Sequence, residues 1–219
     1  MTIRGHFVSE LSTLKAEIME LGALAEDAFD MTLDAIRTKH DGKLDEVIEN
    51  DKAINELELT INEKATLMIA KQQPVASDLR RIIVCLKVSS DLERMGDLSV
   101  DMAKAAKRLQ DREDLAVFEK ELLAIAAKAK VMVQSVLIAY RDANILEAQK
   151  IAAMDDEVDR AYGEFVKSLF EVVAVETGLT EQITQMAFIS RYIERIADYC
   201  TNIAEWIIYE VNGKRFDLN

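Results

Sequence analysis

Apolar and small residues recur at the three-and-four spacing of a helix face along almost the whole chain. From Leu79, the positions Leu79, Ile82, Ile83, Leu86 and Ser90 share one side of a helix. Five interruptions break the pattern: His40-Asp41-Gly42, the run Gln73 to Ser77, the charged run Asp111 to Asp114, Asp142-Ala143-Asn144, and the run Thr177 to Thr180. They predict six helices, at about 9–39, 43–72, 78–110, 115–141, 145–176 and 181–211. Ser77 and Thr180 stand where N-caps belong, with Asp78 and Glu181 in the favourable first turn. The short connections make successive helices antiparallel.

The pattern repeats. An offset of 101 places Glu93 on Glu194, Arg94 on Arg195, Asp97 on Asp198 and Ala103 on Ala204. One helix earlier, an offset of 104 places Asp51 on Asp155 and Ile54 on Val158. The expected architecture is therefore all-α, with two tandem antiparallel three-helix bundles from an internal duplication. Their expected extents are residues 1–111 and 112–219.

Composition narrows the class further. Seven glycines and one proline in 219 residues are far below the roughly 12% of average usage, too few for the turns of a hairpin-rich sheet protein. The longest run without a charge, Val131 to Tyr140, has ten residues, against about 20 for a membrane-spanning helix. The N-terminal residues lack the apolar core of a signal peptide. Cys85 and Cys200 are isolated, so neither a disulfide framework nor a thiolate zinc site is expected, and the cytoplasm is the expected location. A net charge of −13 argues against nucleic-acid binding and suits attraction of cations or basic partners.

The pattern that most needs explaining is Glu93-x-x-x-Asp97-x-x-x-Asp101. These acids extend the line of the apolar stripe instead of opposing it. In the second copy Glu194, Asp198 and Glu205 project in the corresponding direction, with Asn202 in the place of Asp101. Carboxylates at four-residue spacing repel, and their burial is costly, so such a face calls for compensating positive charge. Hairpin register adds acids from the preceding helix. Asp51 and Asp97 stand equally far from Pro74 on its two sides, so an antiparallel pair turning there brings them to one level. Asp159 and Asp198 are likewise almost equidistant from Gly178, with Asp155 one helical turn farther back along the chain. All-oxygen ligation suits a hard cation, Mg²⁺, Ca²⁺, Mn²⁺ or iron.

A plainer reading stands beside this one. Acids at this spacing also occur on solvated helices, and Arg94, Lys104 and Arg195 are placed to neutralise them as ordinary ion pairs. His6 and His40, near a terminus and a turn, suit surface or capping roles. Cys85 and most of the nine methionines suit the core. Trp206 fits either the core or a docking patch.

The run Gln73-Pro74-Val75-Ala76-Ser77-Asp78-Leu79-Arg80-Arg81, followed by Asp91-Leu92-Glu93-Arg94-Met95-Gly96-Asp97, resembles the signature of the PhoU family of phosphate transport system accessory proteins. The run from Glu194 to Glu205 resembles that family's repeat of the signature. The resemblance covers nearly the whole chain. It implies two three-helix bundles, often dimeric, without enzymatic activity. It further implies a negative regulator of the phosphate-starvation response and of phosphate uptake. Its partners would be the ATPase subunit of the phosphate ABC transporter and the cytoplasmic domain of a sensor histidine kinase, with the membrane reached only through them. The family's E/D-x-x-x-D motifs bind metal clusters or divalent cations, a role that carries over to Glu93, Asp97, Asp101, Glu194 and Asp198. Asp51, Asp155 and Asp159 join them by register. Ala197 replaces a glycine common in the motif, Asn202 an acid, and Tyr199 a frequent histidine, which predicts a weaker second site.

Two other readings compete with a signalling adaptor. A ferritin-like, carboxylate-bridged metal enzyme would need Glu-x-x-His pairs, but Ile3 and Arg37 stand where His6 and His40 would need a glutamate. A purely structural scaffold would leave every acid solvated or salt-bridged. The chain has no P-loop, G-x-S-x-G elbow or H-E-x-x-H motif.

Overall fold

Six long helices carry the fold in a computed structural model that describes residues 3–110, 112–173 and 177–218. They are α1 (Ile3–Thr38), α2 (Asp41–Gln72), α3 (Ala76–Ala106), α4 (Ala116–Asp142), α5 (Ile145–Val173) and α6 (Thr180–Asn212). Single 3₁₀ turns, Glu113–Leu115 and Thr177–Leu179, lead into α4 and α6. At 1.5 Å per residue the 36 residues of α1 span about 54 Å. All six predicted helices are present. The first begins at Ile3 instead of about residue 9, because Phe7 is already buried. The expected joint at Asp111 and the predicted end of α5 at 174–176 lie outside the described residues.

Helix ends differ from expectation in their caps. Helix α2 stops where Gln73 takes the left-handed conformation (φ +46°), its N–H bonded to the Ile69 carbonyl at 3.1 Å, with Pro74 next in sequence. Ser77 does not cap α3, because the helix has already begun at Ala76 and Val75 holds the cap position without a side-chain bond. Thr180 likewise lies inside α6; the preceding 3₁₀ turn runs straight into the helix. His40 caps α2, its Nδ1 accepting from the Lys43 N–H at 3.3 Å.

Within each half the three helices pack on one another. Across the halves α3 packs along α6, and α1 along α4. The result is a central square of α1, α3, α6 and α4, with α2 flanking one side and α5 the other. Helices α3 and α6 each meet three neighbours, so burial extends over most of their circumference. Ile82, Leu92, Met95 and Met102 of α3 and Ile189, Ile193, Ile196 and Ile203 of α6 are fully enclosed. Cys85 and Cys200 are free thiols in this core.

Polar ties lock the seam between the halves. Lys15 of α1 pairs with Glu210 of α6 at 2.6 Å and lies 5.5 Å from the centre of the Tyr140 ring of α4, whose hydroxyl meets Cys85 Sγ of α3 at 3.6 Å. One residue from each helix of the square thus enters a single cluster. Elsewhere Lys130 pairs with Asp30 at 2.6 Å, and Gln134 donates to Glu26 at 2.8 Å. Helix α4 is long and apolar enough to cross a membrane by length and composition, although its longest uncharged run is short. Half of its most apolar window is buried against the other helices, as befits a core helix.

The chain beyond α6 folds back onto it. Gly213 turns the backbone (φ +72°), and the Leu218 N–H donates to Glu205 at 2.9 Å. Arg215 reaches Glu205 at 3.5 Å and covers the Trp206 ring at 4.8 Å. Trp206 is therefore neither plain core nor bare patch, but the floor on which this tail rests.

Candidate cation-binding grooves

The first groove lies between α2 and α3, and close packing creates it. A Cβ at Gly96 would stand 2.9 Å from Ile54 Cδ1, so the glycine gives the Ile54 side chain its room between the two helices. Asp51 lies one helical turn before Ile54, and Asp97 directly follows Gly96, so their carboxylates face the same groove. Burial and the Asp97 charge hold the Asp51 carboxyl above its ordinary pKa. One Asp51 oxygen accepts from Asn55 Nδ2 at 3.0 Å, and the other is buried without a partner. Burial, then Asp97, likewise raises Glu93. Arg94 lies 3.6 Å from Glu93 and 3.4 Å from Asp97, and Lys104 lies 3.4 Å from Asp101. Glu58 adds to the charge around Glu93; it was not among the expected residues, though it stands two helical turns after Asp51.

The second groove lies between α5 and α6. Here Asp155, Asp159 and Asp198 bring one carboxylate oxygen each to within 4.8 Å of one another. Asp155 is only 3% exposed, and its Oδ1 has no hydrogen-bond partner. Burial, followed by the charges of Asp159 and Asp198, pushes Asp155 up to about 6. Glu194, 8% exposed, is pushed up to about 7 by burial and by Asp198. Its salt bridge is to Arg191, not to the expected Arg195, which stacks on Tyr199 instead. Burial and Asp159 also raise Asp198.

Register thus brings Asp51 beside Asp97, and Asp155 and Asp159 beside Asp198, as the hairpin spacing predicts. Asn202 is half-buried on α6 and stands outside the convergent trio. The second groove was expected to be the poorer because of Asn202. Among the described residues the closer cluster of carboxylates nonetheless lies there, where Asp159 stands in the place of Asn55. Ala197 is no impediment either. The residue in the place of Ile54, at the offset of 104, is Val158, one carbon smaller. Both are fully buried.

Three carboxylates with an orphaned buried oxygen suit a hard cation. Asp155, Glu194 and Asp198 are raised chiefly by burial and neighbouring negative charge, both of which a bound cation would relieve. The histidines take no part: His6 pairs with Glu10 at 3.3 Å, and His40 is a cap. Asp91, on the α3–α6 seam near Trp206 and Glu205, is pushed up to about 7 by burial.

The PhoU domain model matches the chain twice, at residues 18–106 and 122–207. The phosphate-specific transport system accessory protein PhoU homolog of Clostridium acetobutylicum is 35% identical over 214 residues, 97% of each chain. The PhoU protein of Escherichia coli is 33% identical over 216 residues, 98% of this chain and 88% of that one. Among solved structures, PhoU from Pseudomonas aeruginosa superposes with a TM-score of 0.89 at 30% identity, covering 95% of this chain and all of that one. The phosphate transport system regulatory protein PhoU from Streptococcus pneumoniae gives 0.85 at 29% identity, covering 96% of this chain and 99% of that one.

Proposed function

This chain belongs to the PhoU family, and from that premise we propose that it is a non-enzymatic adaptor. In this reading it restrains phosphate uptake and the phosphate-starvation response from the cytoplasm. It does so by linking the ATPase subunit of a phosphate ABC transporter to the cytoplasmic domain of a sensor histidine kinase. The observation that carries the reading is the two-copy match along nearly the whole chain to phosphate-transport accessory proteins. A homodimer is part of the proposal.

Both grooves are read as sites for a hard divalent or trivalent cation, Mg²⁺, Mn²⁺, Ca²⁺ or iron. Asp51, Glu93, Asp97 and Asp101 would hold it in the first. Asp155, Asp159, Glu194 and Asp198 would hold it in the second, with Asn202 at the rim. A bound cation supplies the positive charge that cancels carboxylate repulsion. The residues do the rest: each groove has one wall on the central square and one on a flanking helix, so acids from both walls sharing one cation would draw the flank inward and preform the surface partners meet. The ferritin-like alternative has no observation in its favour, since both histidines are engaged far from the grooves.

The test is co-purification of the full chain with the transporter ATPase subunit and with the kinase's cytoplasmic domain, each with Mn²⁺ and with chelator. Metal-dependent retention of either partner supports the adaptor; indifference to both, in either condition, overturns it.

A further inference from the structure

The repeat invites a position-by-position comparison of the two grooves, and they are not chemically equal. We propose that the α5–α6 groove is the tighter of two unequal cation sites, and that Thr201 is a positioning residue that orients Asp155 within it. This rests on the cation reading above.

Three differences carry it. The first is a relocated charge. The offsets pair Asn55 with Asp159 and Asp101 with Asn202, so the exchange keeps the number of carboxylates. It moves one from the groove's end, where Lys104 pairs with Asp101, to its centre beside Asp155. The second is competition. In the first groove an amide proton of Asn55 already occupies an Asp51 oxygen, and Arg94 faces both Glu93 and Asp97. Among the described residues, the trio Asp155, Asp159 and Asp198 makes no ion pair within 4 Å; Arg191 pairs with Glu194, and Arg191 and Arg195 act on Asp198 only from a distance. The third is depth. Asp155 is buried where Asp51 is half-buried, and charge interactions strengthen as water is excluded.

Thr201 is placed to orient the buried carboxylate. Five Ser and Thr residues are buried among those described. Four tie their hydroxyls back to their own helix: Thr32 to Ala28, Ser89 to Leu86, Ser99 to Met95 and Ser190 to Ala187. Thr201, 1% exposed, is the exception; its Oγ1 is buried with no hydrogen-bond partner, as is Asp155 Oδ1. It stands instead beside Asp155, close enough to stabilise that carboxylate's charge. Turned toward Asp155, this unpartnered hydroxyl would donate one proton and leave the remaining lone pairs of the carboxylate for a cation. The first repeat has no such group, because the residue paired with Thr201 is Val100.

Mn²⁺ titration of the full chain, read by the electron paramagnetic resonance of free Mn²⁺, tests both parts. Wild type should show two classes of site. Asp155→Asn with Asp198→Asn should remove the tight class, and Glu93→Gln with Asp97→Asn only the weak one. Thr201→Val, which copies the first repeat and keeps the side-chain volume, should weaken the tight class by about tenfold, in the range that losing a ligand-orienting partner costs. Thr201→Ser should restore it. If the tight class follows Asp97, or the two classes are equal, the ranking is overturned and cation binding stands. If Thr201→Val titrates like wild type, the positioning role is overturned. A wild-type chain that binds no Mn²⁺ overturns the cation reading and this one together.

Discussion

Single carboxylates in the second groove make the stability of the metal-free chain depend on pH in an unusual direction. Asp155 and Glu194 are raised in the folded state, to about 6 and about 7 from 3.8 and 4.5. Between those limits the folded chain keeps protons that the unfolded chain has released. Their contribution is thus full below about pH 4 and is lost as pH rises through the folded values. In chelator, the unfolding free energy from urea titration should fall between about pH 4.5 and 7.5, by at most about 3 kcal/mol for each group. Asp155→Asn should flatten the curve; a midpoint insensitive to pH over this range would refute the assignment. The acids themselves were legible, because four-residue spacing and hairpin arithmetic locate Asp97 and Asp198 without coordinates. Thr201 was not, since a threonine in a helix normally bonds its own backbone, and only its missing bond marks it. At the same scale, ending the chain after Gly213 removes the Leu218 N–H and Arg215 from Glu205, which is 5% exposed. That truncation should cost about 1–3 kcal/mol in thermal or chemical unfolding.

Helix-to-helix distance is set by paired volumes, and the two repeats solve the same problem in different ways. In one, Gly96 accommodates Ile54; in the other, Ala197 and Val158 occupy the corresponding positions. Gly96→Ala alone should destabilise by about 1–3 kcal/mol through overpacking. Adding Ile54→Val should recover most of that, because the double variant reproduces the second repeat. Additive losses in the double-mutant cycle would show that the two side chains do not share the space. The helices were legible from periodicity, and the two-copy order from offsets that stay constant within each pair of matching helices. Their caps were less so: Ser77 has the right chemistry, but a helix entered from Val75 leaves it no cap position. The packing of α3 on α6 was not readable at all, because a face buried against another repeat has the same apolar pattern as one buried within its own.

For the whole molecule, that packing means the two repeats do not have independent cores. The enclosed isoleucines of α6 and the core of α3 belong to one cluster, and Lys15, Cys85, Tyr140 and Glu210 join all four central helices. Equilibrium unfolding should therefore be one transition by every probe, and residues 1–110 expressed alone should lack a cooperative melt. Two separable transitions would contradict a shared core. The flanking helices are a different matter. Among the described residues, α2 packs mainly on α1 and α3, and α5 on α4 and α6, so each can detach without dismantling the hub. A cation spanning either groove would act as a clasp on a hinged panel. Amide hydrogens in 41–72 and 145–173 should then trade with solvent deuterium more slowly when Mn²⁺ is present, while those of α3 and α6 hardly change.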